Sequence, residues 1–140
     1  MGILFNDKNE IDAKMNHDFG DVENHLIALK HNDIKSGFLK LLMSNLYHTL
    51  DSNRTFIVYF SSKGLHEKEI SHSVKGDFLL VPWHEIGSFE LKMKNNKALI
   101  ELSHLGKKIG YEIPFTGKLF AENKKNLKHL QDKGWYKVEE

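Results

Sequence analysis

The feature that most constrains the fold of this chain is a series of short β-type segments between residues 55 and 115, each followed by a turn sequence. Thr55–Phe60 consists of β-branched and aromatic residues, which favour a strand over a helix. Ser61–Gly64 supplies turn residues, and Gly64 is available for a positive φ. Strands this close in sequence pair through hairpins, so we predict an antiparallel sheet. The further strands are predicted at 65–70, 77–82, 86–93, 98–103 and 109–115.

An amphipathic helix is predicted after the last strand, over about residues 117–133, with Thr116 as its N-cap. Gly134 fits the C′ position in the left-handed conformation, which makes Trp135 the C″ residue and Leu130 the C3 residue, the pair in contact in a Schellman motif. Such a helix can cover the open edge or end of a sheet. The residues close to one face of this helix are Leu119, Phe120, Asn123, Leu127 and Leu130.

The N-terminal part has a different character. Residues 1–20 lack clear periodicity, and we expect a loosely ordered arm with room for one short helix. The run His25–Leu29 fits a strand or a helical turn, and its pattern does not decide between them. A helix is predicted at about 33–49, with Asn32 or Asp33 as its N-cap. Its apolar face consists of Ile34, Phe38, Leu41, Leu42 and Leu46.

Length and composition favour one soluble domain, which we place at residues 21–138. A chain of 140 residues is long enough to bury a core without covalent cross-links. The absence of cysteine excludes disulfides, thiolate zinc sites and a cysteine nucleophile. The first residues lack the features of a secretory signal, and no stretch approaches the roughly 18 apolar residues of a membrane span. We therefore expect a cytoplasmic protein.

Three segments carry a family resemblance. Phe78–Leu91, FLLVPWHEIGSFEL, has a hydrophobic strand that reaches Pro82 and Trp83, a short polar step, an isoleucine and a further strand. Together with Thr55–Gly64 and the helical Asn123–Tyr136, it resembles the bacterial pleckstrin-homology-like (PH-like) domains. The resemblance covers about residues 55–136. It implies an α+β, mostly β fold, in which a curved antiparallel sheet or partly open barrel is closed by the C-terminal helix.

The same resemblance implies a non-catalytic binding or assembly module more than an enzyme. The predicted helix at 33–49 is an addition to the family pattern. Eukaryotic relatives often bind phosphoinositides through a basic loop between their first strands. That loop pattern is missing here, since Arg54 is the only arginine and residues 24–53 contain few lysines. The scarcity of arginine among 20 basic residues is also typical of an AT-rich genome, which suggests a bacterial or phage source.

Three candidate interaction surfaces remain open. Phe38 and Leu42 belong to an apolar run that either lies in the core or meets a protein partner or a second copy of the chain. Trp83 either packs at a strand end or contacts a ligand. The third surface is basic, because residues 91–138 contain eleven lysines against four acidic residues. Lys124, Lys125 and Lys128 are its candidate residues, and a nucleic acid would be its partner, although the net charge of +1 argues against a dedicated nucleic-acid binder.

No catalytic, metal-binding or cofactor-binding residues are predicted. His66 and His72 are six positions apart, which does not place them together on a helix and separates them by roughly 20 Å on a strand. No Gly-x-Ser-x-Gly, Walker or Gly-x-Gly-x-x-Gly sequence occurs. A small hydrolase or metal-dependent enzyme is the remaining alternative. We therefore expect a protein-binding or self-associating module without a cofactor.

Overall fold

The structure is a computed structural model that describes residues 8–32, 55–71, 76–117 and 119–137. These residues form two α-helices and seven strands, which agrees with the expected α+β, mostly β class. The helices are α1 (Lys8–Phe19) and α2 (Asn123–Asp132). The strands are β1 (His25–Asn32), β2 (Thr55–Ser61), β3 (Gly64–Glu69), β4 (Leu79–Pro82), β5 (Ile86–Met93), β6 (Lys97–His104) and β7 (Lys107–Pro114).

The seven strands lie in one antiparallel sheet in the order β4-β3-β2-β1-β7-β6-β5. Every neighbouring pair except β1 and β7 joins strands that are consecutive in the chain. β1 is central, because its residues 25–29 pair with β2 and its residues 29–32 pair with β7. The sheet is curved and unclosed: Glu67 of β3 contacts Tyr111 of β7 although two strands lie between them. Among the described residues, β4 and β5 each pair on one side only and form the two edges of the sheet.

The curved sheet has an inner face, which its two arms enclose, and an outer face. β2 is buried on both faces, which explains why its sequence is continuously apolar rather than alternating. The outer-face cluster consists of Ile27, Ile57, Tyr59 and Ile70 with Ile11, Met15 and Leu119. The inner-face cluster consists of Leu26, Ala28, Phe56, Val58, Phe60, Leu65, Val81, Ala98, Ile100, Leu102, Tyr111 and Ile113 with Leu127 and Leu130 of α2.

Helix α2 occupies the gap where β1 and β7 are not paired. The Ile27 N–H donates to Asn123 Oδ1 (2.9 Å), and Asn123 Nδ2 donates to the carbonyl oxygens of Ile27 (2.8 Å) and Pro114 (2.8 Å). Asn126 Nδ2 donates to the His25 carbonyl (3.1 Å). These amide side chains take the place of the missing strand partner, so buried backbone groups of β1 are satisfied.

Helix α1 lies in the segment for which the sequence predicts a loosely ordered arm. Ile11 and Met15, four positions apart, are completely buried on the outer face. Phe19 stacks on Tyr59 of β2 with a ring-centroid distance of 3.8 Å. The segment thus contains the one short helix for which the sequence left room, and a few apolar residues at helical spacing hold its described part against the sheet, although its amphipathic pattern in the sequence is weak.

The turns use the residues that the sequence marks. In the β6–β7 hairpin, Leu105 and Gly106 have φ values of +50° and +89°, which matches the twist of a two-residue hairpin. Gly64 has φ +148° at the start of β3, as expected from the turn sequence before it. Gly134 has φ +64° directly after the C-cap of α2, as the sequence predicts.

Several boundaries differ from the expectations. His25–Leu29 is part of strand β1, which answers the question that its pattern left open. Helix α2 begins at Asn123 and not near residue 117, because Gly117 has φ +106° and turns precede the helix. Glu122, rather than Thr116, therefore occupies the N-cap position. The helix predicted at 33–49 lies outside the described residues, and so do Phe38 and Leu42.

Candidate functional site

A cleft of about 360 Å³ opens on the inner face between the two arms of the curved sheet. One wall comes from β3 and β4, and the opposite wall comes from β6 and β7. The two walls are separated in the sheet by β2 and β1, so the curvature of the sheet is what brings them to face each other across the cleft. Its apolar lining consists of Leu65, Leu79, Val81, Leu102 and Ile109, and its polar lining consists of Lys30, Glu67, His104, Lys107 and Tyr111.

A buried polar network lies in this lining. Lys30 Nζ donates to Glu67 Oε2 (2.6 Å), and the Tyr111 hydroxyl donates to Glu67 Oε1 (2.5 Å). All three residues are buried, and the Lys30 ammonium also lies 5.1 Å from the ring centroid of Phe56. Burial, reinforced by the Glu67 carboxylate, raises the pKa of Tyr111 well above its ordinary value. The phenol therefore remains a hydrogen-bond donor at neutral pH, and the network ties β3 to β1 and β7.

The remaining polar lining lies closer to solvent. His104 Nε2 is 2.8 Å from Glu85 Oε1, so this imidazole has an acidic partner next to the cleft. Lys107 is exposed, and it forms no ion pair with the residues that the structure describes. Leu79 is 63% exposed although it lines the cleft. The cleft thus combines apolar walls with lysine ammonium groups in its lining.

The free edge strand β4 presents consecutive exposed leucines. Leu79 is 63% and Leu80 is 40% exposed, whereas Val81 is buried. Within the described residues β4 pairs only with β3, through Gly64–Glu67. The side of β4 away from β3 is therefore a sheet edge with apolar side chains beside it, which is an uncommon arrangement because such edges promote association.

Trp83 lies in an aromatic cluster at one end of the inner face. Its ring centroid is 6.1 Å from that of Phe89 and 6.4 Å from that of Phe60, and its Nε1 donates to the Ser61 carbonyl (2.8 Å). Trp135 joins the cluster, 5.0 Å from Phe60. Trp83 is only partly buried, and Lys137 Nζ lies over its ring, 5.7 Å from the ring centroid.

Lys124, Lys125 and Lys128 are all exposed on the solvent side of α2, so the structure brings these candidates together. Lys125 Nζ is 4.0 Å from Glu122, and Lys128 Nζ is 4.0 Å from Asp132. The acidic neighbours reduce the positive potential of this face. The candidates Phe38 and Leu42 are not placed, because they lie outside the described residues.

The Lys30–Glu67–Tyr111 network is not among the sites that the sequence predicts. A signal was present, because Lys30 continues the inner-face alternation of Leu26 and Ala28, and Glu67 follows Leu65 at the same spacing. A similar polar group lies on the outer face, where Lys97 Nζ is 3.0 Å from Glu112 Oε2 and His31 Nε2 is 3.6 Å from Glu112 Oε1. Charged residues at core positions of strands thus mark both networks.

Within the described ranges, no group of three or more His, Asp or Glu side chains could hold a metal ion. None of the helices in these ranges is both long enough and apolar enough to cross a bilayer.

Comparison of the chain with protein-family models, with curated proteins and with solved structures finds no significant match.

Proposed function

We propose that this chain is a non-catalytic, PH-like binding or assembly module of a bacterial or phage protein, which acts in the cytoplasm through self-association or a protein partner. The order of a curved antiparallel sheet followed by a packed C-terminal helix supports the PH-like assignment. The observation that carries the association is the exposed apolar edge strand β4.

Strand β4 has the properties of a contact surface. An unpaired edge offers backbone N–H and C=O groups to a further strand, and exposed leucines add apolar area to that contact. A second copy supplies the same edge in antiparallel orientation, so a two-fold symmetric dimer satisfies both copies at once. Pro82 lacks an N–H and the strand has four residues, so we expect a small and reversible interface.

Light scattering on the full-length protein, over an about hundredfold range of concentration, tests this proposal. We expect the mean mass to rise with concentration toward a dimer, and Leu80→Lys to keep the protein monomeric by placing a charge at the edge. Met93→Lys is the matched control, because Met93 is 48% exposed on the other edge strand, β5. A monomer at every concentration would reject self-association and leave only a separate protein partner.

The nucleic-acid alternative has one observation in its favour, the shared exposure of Lys124, Lys125 and Lys128. Acidic residues beside two of them make this support weaker than that for β4. Binding of single-stranded DNA that falls steeply with salt and is lost in the triple alanine variant would favour the alternative. Salt-independent or undetectable binding would contradict it.

A further inference from the structure

The cleft on the inner face has the size and lining of a small-molecule site. Its volume of about 360 Å³ lies at the lower end of the range of ligand pockets, roughly 300–1,000 Å³. At about 30 Å³ for each water-sized group, it holds about twelve non-hydrogen atoms. Leu65, Leu79 and Val81 face Leu102 and Ile109 across it, which suits one unbranched apolar chain.

The polar lining of the cleft is rich in hydrogen-bond donors. Lysine ammonium groups only donate, and Glu67 is the single acceptor that the described residues provide for Lys30. Of the three N–H groups of Lys30, two thus have no acceptor among the described residues, and the ring centroids of Phe56 and Tyr111 lie 5.1 Å and 6.0 Å from the ammonium. Both oxygens of Glu67 are already engaged, one by Lys30 and the other by Tyr111. A matching ligand brings acceptors and no donors.

The charges of the lining point the same way. Lys30 and Lys107 carry two positive charges, Glu67 carries one negative charge, and His104 is paired with Glu85 outside the lining. Apart from the His104–Glu85 pair, the two lysines and Glu67 give the lining a formal net charge of +1, which one carboxylate balances. A peptide would also bring backbone N–H groups into a cleft with few remaining acceptors, and an unsatisfied donor is costly.

We propose that the cleft binds a medium-chain fatty acid of about the size of decanoate, with the carboxylate accepting from Lys30 and the chain between the apolar walls. Lys107 adds attraction for the anion. This inference goes beyond the proposed function, since ligand binding in the cleft requires no second protein and the association requires only the β4 edge.

Isothermal titration calorimetry of decanoate, below its micelle concentration, into the full-length protein tests the inference. We expect one site per chain. Decanol has a similar chain and no charge, and we expect it to bind at least about tenfold more weakly. The reason is that the hydrogen bond between the carboxylate and the Lys30 ammonium involves charged groups, and such a bond changes affinity by about tenfold or more. Undetectable binding of decanoate, or equal binding of decanol, would overturn the proposal.

Leu79→Glu is the first variant, because it places a negative charge in the lining of the cleft. Leu79 is 63% exposed, so we expect the variant to remain folded. We expect decanoate to bind about tenfold more weakly. Met93→Glu, the same charge change at an exposed site outside the lining, is expected to leave binding unchanged within about twofold. Equal loss in the two variants would indicate non-specific attraction and contradict the site.

A second variant tests the base of the cleft. The double substitution Lys30→Met and Glu67→Gln removes the ammonium without leaving a buried charge unpaired. After circular dichroism has verified its fold, it is expected to lose the preference for decanoate over decanol. Retention of that preference would overturn the role of Lys30.

Two further measurements are needed. One distinguishes a fatty acid from a peptide as the ligand, and the other distinguishes ligand binding from association through β4. An acetylated apolar tripeptide with a free C-terminal carboxylate is expected to bind more weakly than decanoate, and tighter binding of the peptide would overturn the fatty-acid inference. Leu80→Lys is expected to bind decanoate like the unsubstituted protein, because Leu80 does not line the cleft. Failure of either proposal is therefore distinguishable from failure of the other.

Discussion

At the scale of single residues, His25 shows how burial controls a titratable group. It lies at the start of β1 and is 1% exposed, with Lys8 Nζ 3.1 Å from its Nε2. Burial lowers the pKa of His25 from 6.5 to about 4, and the charge of Lys8 acts in the same direction. The nearby charges of Asp12 and Asp21 oppose this shift but do not reverse it. His25 is therefore neutral in the folded protein near neutral pH.

The lowered pKa of His25 predicts that the free energy of unfolding depends on pH. Between pH 6.5 and about 4, His25 is protonated in the unfolded chain but not in the folded chain. The contribution of His25 to the free energy of unfolding is therefore fully present above pH 6.5 and decreases as the pH falls toward about 4. The decrease is expected to reach up to about 3 kcal/mol. Urea unfolding at pH 7 and pH 4.5 measures it. We expect His25→Asn to show a smaller decrease in the free energy of unfolding between the two pH values. The control His84→Asn, at an exposed site, is expected to resemble the unsubstituted protein. An unchanged decrease in His25→Asn would contradict the role of His25 in this pH dependence.

At the scale of elements, the β3–β4 pairing depends on the absence of a side chain at Gly64. A Cβ at this position would lie 2.2 Å from the Val81 carbonyl oxygen, and the φ of +148° is unfavourable for other residues. The turn sequence predicts a glycine with positive φ here, but the close approach of β4 is a property of the assembled sheet.

Gly64→Ala is therefore expected to reduce the free energy of unfolding by about 2–4 kcal/mol, since backbone strain and a backbone clash add. Gly106→Ala is the matched control. Gly106 also has a positive φ, +89°, but a methyl group added there would have no atom within 4 Å, so only about 1 kcal/mol of strain is expected. Urea unfolding of both variants gives the comparison, and equal losses would show that the β4 contact is unimportant.

The attachment of α2 gives a second prediction at this scale. Asn123→Ala would leave the N–H and C=O of Ile27 and the C=O of Pro114 without their side-chain partner. At about 1–3 kcal/mol for each buried unsatisfied group, a loss of about 3 kcal/mol or more is expected in thermal or urea unfolding. Lys124→Ala, one residue further on the exposed side of the helix, should change stability by less than about 0.5 kcal/mol. A loss below about 1 kcal/mol in Asn123→Ala would mean that these bonds are replaced by water.

At the scale of the whole molecule, β1 joins the two halves of the sheet. It pairs with β2 on one side and β7 on the other, and α2 is hydrogen-bonded to it. Without β1, the β2–β3–β4 and β5–β6–β7 meanders would have no shared strand, and each would expose an apolar face.

A chain that begins at Asp51 is therefore expected to be unfolded, because it lacks both α1 and β1. Circular dichroism and the dispersion of amide signals in an NMR spectrum measure this outcome, with the full-length chain as the reference. A cooperative unfolding transition and dispersed signals in the shortened chain would show that β1 is dispensable.

Much of the strand pattern was predictable from local signals. β5 was predicted at 86–93 and occupies Ile86–Met93, whereas the strands predicted at 98–103 and 109–115 occupy Lys97–His104 and Lys107–Pro114. These predictions depend on β-branched residues, alternation and turn glycines, which act over a few neighbouring residues. β1 remained ambiguous because its segment is buried on both faces over most of its length and shows no clear period.

The candidate site was much less predictable. The alternation of their neighbours places Lys30 and Glu67 on the inner face, but it does not identify them as partners of each other. The two residues are 37 positions apart, and Tyr111 is 44 positions from Glu67. Only the curvature of the sheet brings them together.

Local sequence is sufficient to specify the mostly β class, the hairpins of the last three strands and the glycine that ends α2, because periodicity and turn chemistry act between near neighbours in the chain. The central place of β1, the insertion of Asn123 into the gap beside it, and the cleft between the arms of the sheet are established only in the folded molecule. These features arise from contacts between distant segments, whose formation depends on the sum of packing, pairing and burial over the entire sheet.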